Sequence, residues 1–158
     1  MNEFLGPILG FINVGFELAV SGTLKNPHNE ALSYNKKFAM QGEYPNISMD
    51  YPKALVSMGD LEPAENPSIA MHPDGIEFTW DMPADIEWSR KNDRAMLLLY
   101  FPVDHSCINV LIGATRAACR DFIPLPHTYL DQPVQAYIAF ASADRKSVSN
   151  SVWVVSLI

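Results

Sequence analysis

The hydrophobic pattern divides the chain into a helical beginning and a longer β-rich remainder. Residues 4–20 are apolar with few interruptions and predict a helix. The segment starts with Glu3 and no basic residue, unlike a signal peptide, and Asn13 and Glu17 interrupt a run too short to cross a bilayer. We therefore expect a helix packed on the domain rather than a membrane segment. The residues that weaken this helix are Gly6, Pro7, Gly10 and Gly15.

A second helix is predicted to begin at Asn26-Pro27. Asparagine is a good N-cap, and proline fits the first helical position. Gly42 is expected to stop this helix. The two helices would form a helical hairpin that makes up a lead-in over residues 1–42. The face expected to be buried consists of Ala31, Tyr34, Asn35 and Phe38.

Beyond the hairpin the pattern changes to the alternation that is typical of β-strands. Ile76, Phe78 and Trp80 alternate with polar residues, which predicts a strand with one buried and one wet face. The preceding Asp74-Gly75 pair is suited to the positive φ angles of a tight hairpin. Extended segments are expected at residues 46–50, 54–58, 68–71, 76–80, 94–101, 106–112, 115–123, 134–141 and 148–158, with loops over 59–67 and 82–93.

Residues 94–101 form a near-continuous apolar run bounded by turn-rich segments. This length suits a strand better than a helix, so we expect a central buried strand. The segments on either side of Gly113, residues 106–112 and 115–123, are expected to pair as a hairpin. About seven strands separated by turns favour an antiparallel β-sandwich over a parallel sheet. Residues 43–158 are therefore expected to form one β-sandwich domain.

Composition and charge narrow the possible functions. The chain has 158 residues, of which 48% are hydrophobic, enough for one domain with its own core. Its formal net charge of −7 repels phosphate backbones and anionic membrane surfaces, so we expect no nucleic-acid partner. No membrane span is expected either, because the apolar N-terminal run is short and interrupted. Cys107 and Cys119 are too few for a disulfide framework, and free buried thiols are favoured over a bridge between adjacent strands.

No motif of a known catalytic machinery is present in the sequence. It contains no nucleophile elbow, P-loop, dinucleotide fingerprint or zinc-protease motif. The only possible metal cluster has a spacing that matches no ligand pattern, so no metal site is expected. Asp104-His105 lacks a nucleophile and is interpreted as a polar turn. We therefore expect no enzymatic activity and no cofactor. The rejected metal cluster consists of His105, Cys107, Cys119 and His127.

The polar loop over residues 82–93 carries the binding candidates Trp88, Asp85 and Glu87. A tryptophan among acids on a sandwich loop can stack on a sugar ring while carboxylates accept protons from its hydroxyl groups. The alternative, which we favour, is that Trp88 folds back as a lid on the open end of the sandwich. The acidic residues of the preceding loop lack the strict pattern of a calcium site and are expected to be solvated. These residues are Asp60, Glu62 and Glu65.

Two stretches of the β region have the character of known sandwich modules. One strand ends in Trp80, and such modules often place a tryptophan in the core. In residues 137–151 a strand that begins with Tyr137 leads through a polar turn into a serine-bearing strand. In these features residues 54–158 resemble fibronectin type III and other immunoglobulin-like modules. The resemblance implies a mainly β protein, in which helices precede an antiparallel immunoglobulin-like (fibronectin type III-like) sandwich.

Six short stretches over most of the chain form a second, more specific pattern. They are Gly42–Pro45, Asp50–Lys53, Asn66–Ser68, Phe78–Asp81, Gly113–Arg116 and Ser147–Val152. With them the chain resembles a family of uncharacterised Bacteroidetes proteins without an established activity. The resemblance implies a helical lead-in followed by a sandwich. The resemblance also implies a further basic, glycine-containing segment before the position where this chain starts, which leaves the natural N-terminus open.

The sequence favours a non-enzymatic interaction or structural module over other classes of protein. We expect loops or strand edges to contact a protein partner, and the N-terminal helices to dock on the sandwich or on a neighbouring copy of the chain. The alternative is a carbohydrate-binding or adhesion module that uses the loop around Trp88. A cytoplasmic location is expected if the N-terminus is native, since no signal peptide is visible.

Overall fold

Two β-sheets and one layer of helices make up the fold. A computed structural model describes residues 1–157, and its side chains up to residue 154. The helices are α1 (Asn2–Leu5), α2 (Leu9–Gly15), α3 (Pro27–Phe38) and α4 (His127–Leu130). The strands are β1 (Met40–Gln41), β2 (Ser48–Met49), β3 (Glu65–His72), β4 (Gly75–Asp81), β5 (Arg94–Phe101), β6 (Ser106–Val110), β7 (Arg120–Pro124), β8 (Val134–Ala141) and β9 (Val152–Leu157).

The strands form a three-stranded sheet in the order β3-β4-β7 and a four-stranded sheet in the order β6-β5-β8-β9. All neighbours in both sheets are antiparallel, and within residues 1–157 neither sheet closes into a barrel. Strands β1 and β2 form a separate short pair. The prediction of a mainly antiparallel β protein with N-terminal helices is confirmed. No helix in this part of the chain is long and apolar enough to cross a membrane.

The predicted central buried strand is β5, and the structure confirms it. Leu97, Leu99 and other alternate residues of β5 pack against the three-stranded sheet. Leu98 and Tyr100, on the opposite face, pack against the N-terminal helices. Because both faces of the strand are covered, the sequence is apolar at consecutive positions instead of alternating.

The apolar N-terminal segment covers the outer face of the four-stranded sheet. It forms two short helices, α1 and α2, rather than the single helix predicted over residues 4–20. The break falls at Gly6-Pro7, where proline removes a backbone donor and restricts the residue before it. Because of this break, both helices pack against the same sheet. The fully buried residues of the segment are Phe4, Leu5, Ile8, Phe11, Ile12 and Phe16.

Helix α3 begins as predicted, because the Asn26 side chain accepts a hydrogen bond of 2.7 Å from the backbone N–H of Asn29. The prediction of its end was wrong. The helix stops at Phe38, and Gly42 lies with positive φ in the turn between β1 and β2. The predicted buried face is only partly correct: Asn35 is buried with Ala31, whereas Tyr34 is half-buried and Phe38 is 55% exposed.

Residues 54–58 are not a strand, although their pattern predicted one. The backbone groups of Leu55 and Val56 bond to side chains instead of a neighbouring strand. Asn35 donates to the carbonyl of Leu55 and accepts from its N–H, each over 2.9 Å. Ser151 Oγ accepts from the N–H of Val56 over 2.9 Å. Of the extended segment predicted at residues 46–50, only Ser48–Met49 forms a strand.

The hairpin predicted on either side of Gly113 does not form. Strand β6 pairs with β5, whereas β7 pairs with β4 in the other sheet. The intervening residues cross from one sheet to the other through a short 3₁₀ helix, Arg116–Ala118, and through Cys119, whose φ is +59°. Hydrophobic alternation is the same in both cases, so the sequence pattern does not distinguish a hairpin from a crossing between sheets.

Other strand limits also differ from the predicted ones. The β3–β4 hairpin turns between His72 and Gly75 as expected, but neither Asp74 nor Gly75 has a positive φ. Strand β3 starts at Glu65, inside the predicted loop, and β9 starts four residues after the predicted position 148.

Candidate functional site

Trp88 lies on the loop between β4 and β5, at the start of a short 3₁₀ helix, Trp88–Asn92. Its side chain is 75% exposed, so the expectation that it folds back as a lid was wrong. Lys91 Nζ lies 3.7 Å from the centre of the indole ring. The ammonium group therefore covers one face of the ring, and the ring remains accessible from the other side.

Other residues fill the end of the sandwich, which explains why Trp88 does not pack against the core there. Trp80 packs edge-on against Phe140 and donates its indole N–H to the carbonyl of Arg116 over 2.8 Å. The guanidinium of Arg116 lies 4.0 Å from the centre of the Phe140 ring. Trp80 and Arg116 thus occupy the space that a lid would fill.

A cleft of about 410 Å³ opens beside the Trp88 loop, and we call it the acidic cleft. It brings the two predicted candidates Asp85 and Glu87 together with Asp60 and Glu62 from the loop that precedes β3. All four are exposed, whereas Arg90 is half-buried. Trp88 is not among the lining residues. The residues that line the cleft are Asp60, Leu61, Glu62, Pro83, Asp85, Ile86, Glu87, Arg90 and Ser147.

The acidic cleft carries a surplus of negative charge. Four carboxylates face one guanidinium, that of Arg90, at its lining. Arg90 is turned toward Asp93, with Nη1 at 3.3 Å from Oδ1. Among the described residues, the four lining carboxylates take part in no ion pair and no side-chain hydrogen bond. The cleft therefore offers uncompensated acceptors to a cationic ligand.

A buried ion pair fixes the loops beneath this cleft. Asp93 and Arg116 are both buried, and their Oδ2 and Nη2 atoms lie 3.0 Å apart. Arg116 also donates from Nε to Asp93 over 3.1 Å and from Nη2 to the carbonyl of Glu62 over 2.8 Å. One guanidinium therefore connects the loop of Glu62 to the end of the Trp88 loop, so both walls of the cleft share an anchor.

Burying the ion pair costs free energy, because both charged groups lose their hydration. Burial raises the pKa of Asp93, against the opposing effect of Arg116 and Arg90. Burial likewise lowers the pKa of Arg116. Each pKa shift favours the neutral form of its group, so the loss of solvation outweighs the attraction between Asp93 and Arg116. Sequence analysis missed this pair, because Asp93 lies in a predicted loop and Arg116 in a predicted strand, and neither pattern marks a buried charge.

A second cleft of about 290 Å³ lies next to the acidic cleft, and we call it the helix-side cleft. It shares Asp60 and Ser147 with the acidic cleft, so the two clefts adjoin, and we call them together the groove. Its other lining residues come from the end of the N-terminal segment, from the chain before Asp60 and from the turn before β9. They are Leu18, Ala19, Met58, Gly59, Lys146 and Val148.

The floor of the groove is a close contact between two chain segments. Leu61 donates its N–H to the carbonyl of Val148 over 3.1 Å, and Gly59 donates to Asn150 Oδ1 over 3.0 Å. A Cβ atom at position 59 would lie 2.1 Å from the Val148 carbonyl oxygen, so only glycine fits here without a backbone shift.

Gly59→Ala is therefore expected to lower the free energy of unfolding by about 1–3 kcal/mol, the range for an overpacked site. The matched control is Gly10→Ala, which lies in α2 with nothing within 4 Å of an added Cβ. That change should stabilise the protein by about 0.4–1 kcal/mol, because alanine restricts the unfolded chain and favours a helix. Urea unfolding of both variants measures the difference, and equal effects would contradict a tight floor.

The remaining candidates from the sequence are held by structural contacts. Cys107 and Cys119 are free and half-buried, and Cys107 donates its S–H to the carbonyl of Pro7 over 3.1 Å. Burial raises the pKa of the Cys107 thiol. His105 Nδ1 lies 3.2 Å from the Tyr100 hydroxyl, and Asp104 accepts from Gln132. Throughout residues 1–157, no three His, Cys, Asp or Glu side chains converge as metal ligands would.

These observations define the class of protein: mainly antiparallel β, with N-terminal helices and an acidic cleft formed by loops. The chain belongs to a family of unknown function, DUF6266, whose model matches residues 1–155. The prediction that the chain belongs to a family without an established activity is therefore confirmed. No curated protein matches the chain.

Proposed function

We propose that this protein is a non-enzymatic interaction module that binds a protein partner through the loops at the acidic cleft. The observation that carries the proposal is the set of four unpaired carboxylates in a cleft whose two walls are fixed by one buried guanidinium. A concave, charged and rigid loop surface is suited to recognition, because little conformational entropy is lost when it binds.

The scaffold that we propose for this module is the fibronectin type III-like sandwich. Counted from β3 to β9, the seven strands follow the order one-two-five in one sheet and four-three-six-seven in the other. That order is the one expected of a fibronectin type III-like Greek key. Trp80 on the second strand and Tyr137 on the sixth are buried, in keeping with the resemblance in sequence. Sandwiches of this kind typically carry their binding residues on loops.

The loops are better placed for binding than the N-terminal helices. Apart from Leu9, the largest apolar side chains of α1 and α2 are buried within the chain's own core, which leaves them unavailable to a second copy. Only Leu9, Leu18 and Leu24 of this region remain exposed as single large aliphatic residues. Isolated exposed leucines are common on monomers and do not define an interface.

This proposal predicts that peptide ligands of the protein bind at the Trp88 loop. Peptides selected from a random display library on the wild-type protein should lose about tenfold or more in affinity for the double variant Trp88→Ala/Glu87→Ala. The control is Leu24→Ala, which changes an exposed residue of the helical layer. Selected peptides that bind the double variant and the wild type equally would overturn the proposed site.

A carbohydrate-binding or adhesion module is the second candidate, and the exposure of Trp88 favours it. One face of the indole is open, and Asp85 and Glu87 lie on the same loop as hydrogen-bond acceptors. If a glycan array reveals a ligand, Trp88→Ala should abolish binding with the fold intact, and Lys91→Ala should retain it because the open face is unchanged. Unchanged binding by Trp88→Ala would remove this candidate.

A further inference from the structure

The two clefts form one groove whose chemistry changes along its length. At one end lie the unpaired carboxylates of the acidic cleft, including Asp85 and Glu87. At the other end Leu18 and Met58 contribute apolar surface beside the exposed side chain of Lys146. Asp60 and Ser147 line both clefts and mark the point where the two halves meet. A ligand that fills the groove must therefore be cationic at one end and apolar at the other.

We infer that the groove binds an extended peptide segment of a partner protein, with an arginine in the acidic cleft and an aliphatic side chain in the helix-side cleft. This inference rests on the proposed function and names the chemistry of the partner. Charge complementarity supports it, since the lining of the acidic cleft has four acids and one arginine, and the whole chain has a formal net charge of −7.

The arrangement of the acids favours a guanidinium over a smaller cation. Asp60 and Glu62 approach from one loop and Asp85 and Glu87 from another, so acceptors flank the cleft from two sides. A planar guanidinium presents several donors in fixed directions and can bond to two carboxylates at once. Arg90 does not fill this role, because it is engaged with Asp93.

The second half of the groove limits the ligand to one with an apolar group. Leu18 is partly exposed at the edge of the helical layer, and Met58 and Val148 lie beside it in the helix-side cleft. Gly59 lies against Val148 at the groove floor, where there is no room for a side chain at position 59. An aliphatic side chain can cover this apolar surface, which a free metal ion or a simple polyamine would leave in contact with water.

The test is an array of immobilised glycine–serine peptides that carry one arginine and one leucine at every spacing across the peptide. Matched arrays replace the arginine by glutamate or the leucine by serine. We expect a preferred spacing at which peptides bind the wild-type protein, at least about tenfold loss for either replacement, and weaker binding as salt increases. No binding at any spacing, or binding independent of the arginine, would overturn the inference.

Variants of the groove residues test where the peptide binds. Glu87→Lys should reduce binding of the best peptide by about tenfold or more, and Leu18→Ser by severalfold. Asp131→Lys makes the same change in net charge at an exposed position that does not line either cleft, and it should bind as the wild type does. If Asp131→Lys weakens binding as much as Glu87→Lys, general charge attraction explains the result and the inference fails.

The outcomes separate this inference from the proposed function. If Glu87→Lys loses binding and Leu18→Ser does not, the proposed interaction site at the loops is retained, but the proposed peptide site along the groove is ruled out. Library-selected peptides that depend on Trp88 and lack any basic residue would likewise retain the proposed function and overturn the inference. Failure of both the array and the library selection to yield a ligand at the loops would remove both.

Discussion

Asp93→Ala is expected to lower the free energy of unfolding by about 3–5 kcal/mol, one of the two largest effects that we predict. The substitution leaves Arg116 buried without its counter-ion, and the guanidinium loses contacts of 3.0 and 3.1 Å. It also frees Arg90 from the partner that holds it at the cleft. Urea unfolding followed by tryptophan fluorescence measures the change.

A matched control is available on the same loop. Asp85→Ala removes an exposed carboxylate without an ion pair, and its effect should stay within about 0.5 kcal/mol. Adding Arg116→Met to Asp93→Ala should restore part of the stability, because the double variant no longer buries an unpaired charge. If Asp93→Ala and Asp85→Ala have the same effect, the buried pair does not anchor the loops.

The second large effect is expected from Phe4→Ala, with a loss of about 3–5 kcal/mol in the free energy of unfolding. Phe4 is fully buried between α1 and the four-stranded sheet. Its ring centre lies 4.9 Å from that of Tyr100, 5.7 Å from Tyr51 and 6.1 Å from Tyr137. Removing the ring leaves a cavity among three tyrosines and loosens the helical cover.

Leu24→Ala provides the control for Phe4→Ala, because Leu24 is fully exposed near the same layer. It should change stability by no more than about 0.5 kcal/mol. Calorimetry of both variants measures the effect. An early, separate unfolding step in Phe4→Ala, with the main transition unchanged, would contradict the prediction by showing that the helices are not part of the cooperative unit.

The parts of the fold that sequence could predict are those with a local cause. The apolar run of β5 identified a central strand, and the Asn26 side chain caps α3 as its type and position indicated. Gly6-Pro7 was recognised as unfavourable for a helix, but its effect on the path of the chain depended on the sheet below. The extended segment 54–58 was mistaken for a strand because Asn35 and Ser151 supply its partners from distant positions.

The candidate site could be predicted only in part, for a similar reason. Asp85 and Glu87 line the acidic cleft, and composition of the loop was enough to select them. The contribution of Asp60 and Glu62 depends on how two loops meet, and that is set by Arg116. Trp88 was expected to cover the sandwich end, but Trp80 already occupies that position. Long-range contacts of this kind leave no local pattern in a sequence.

The helical cover of the four-stranded sheet has a consequence for the order of events during synthesis. Phe4 and its neighbours leave the ribosome well before Tyr137 and Ala139 on β8, which form part of the surface that they pack against. Until β8 has emerged, the apolar segment has only part of its native partners, those on α3 and, later, on β5. Because so long a loop must close, we expect the contact with β8 to be a late step of folding.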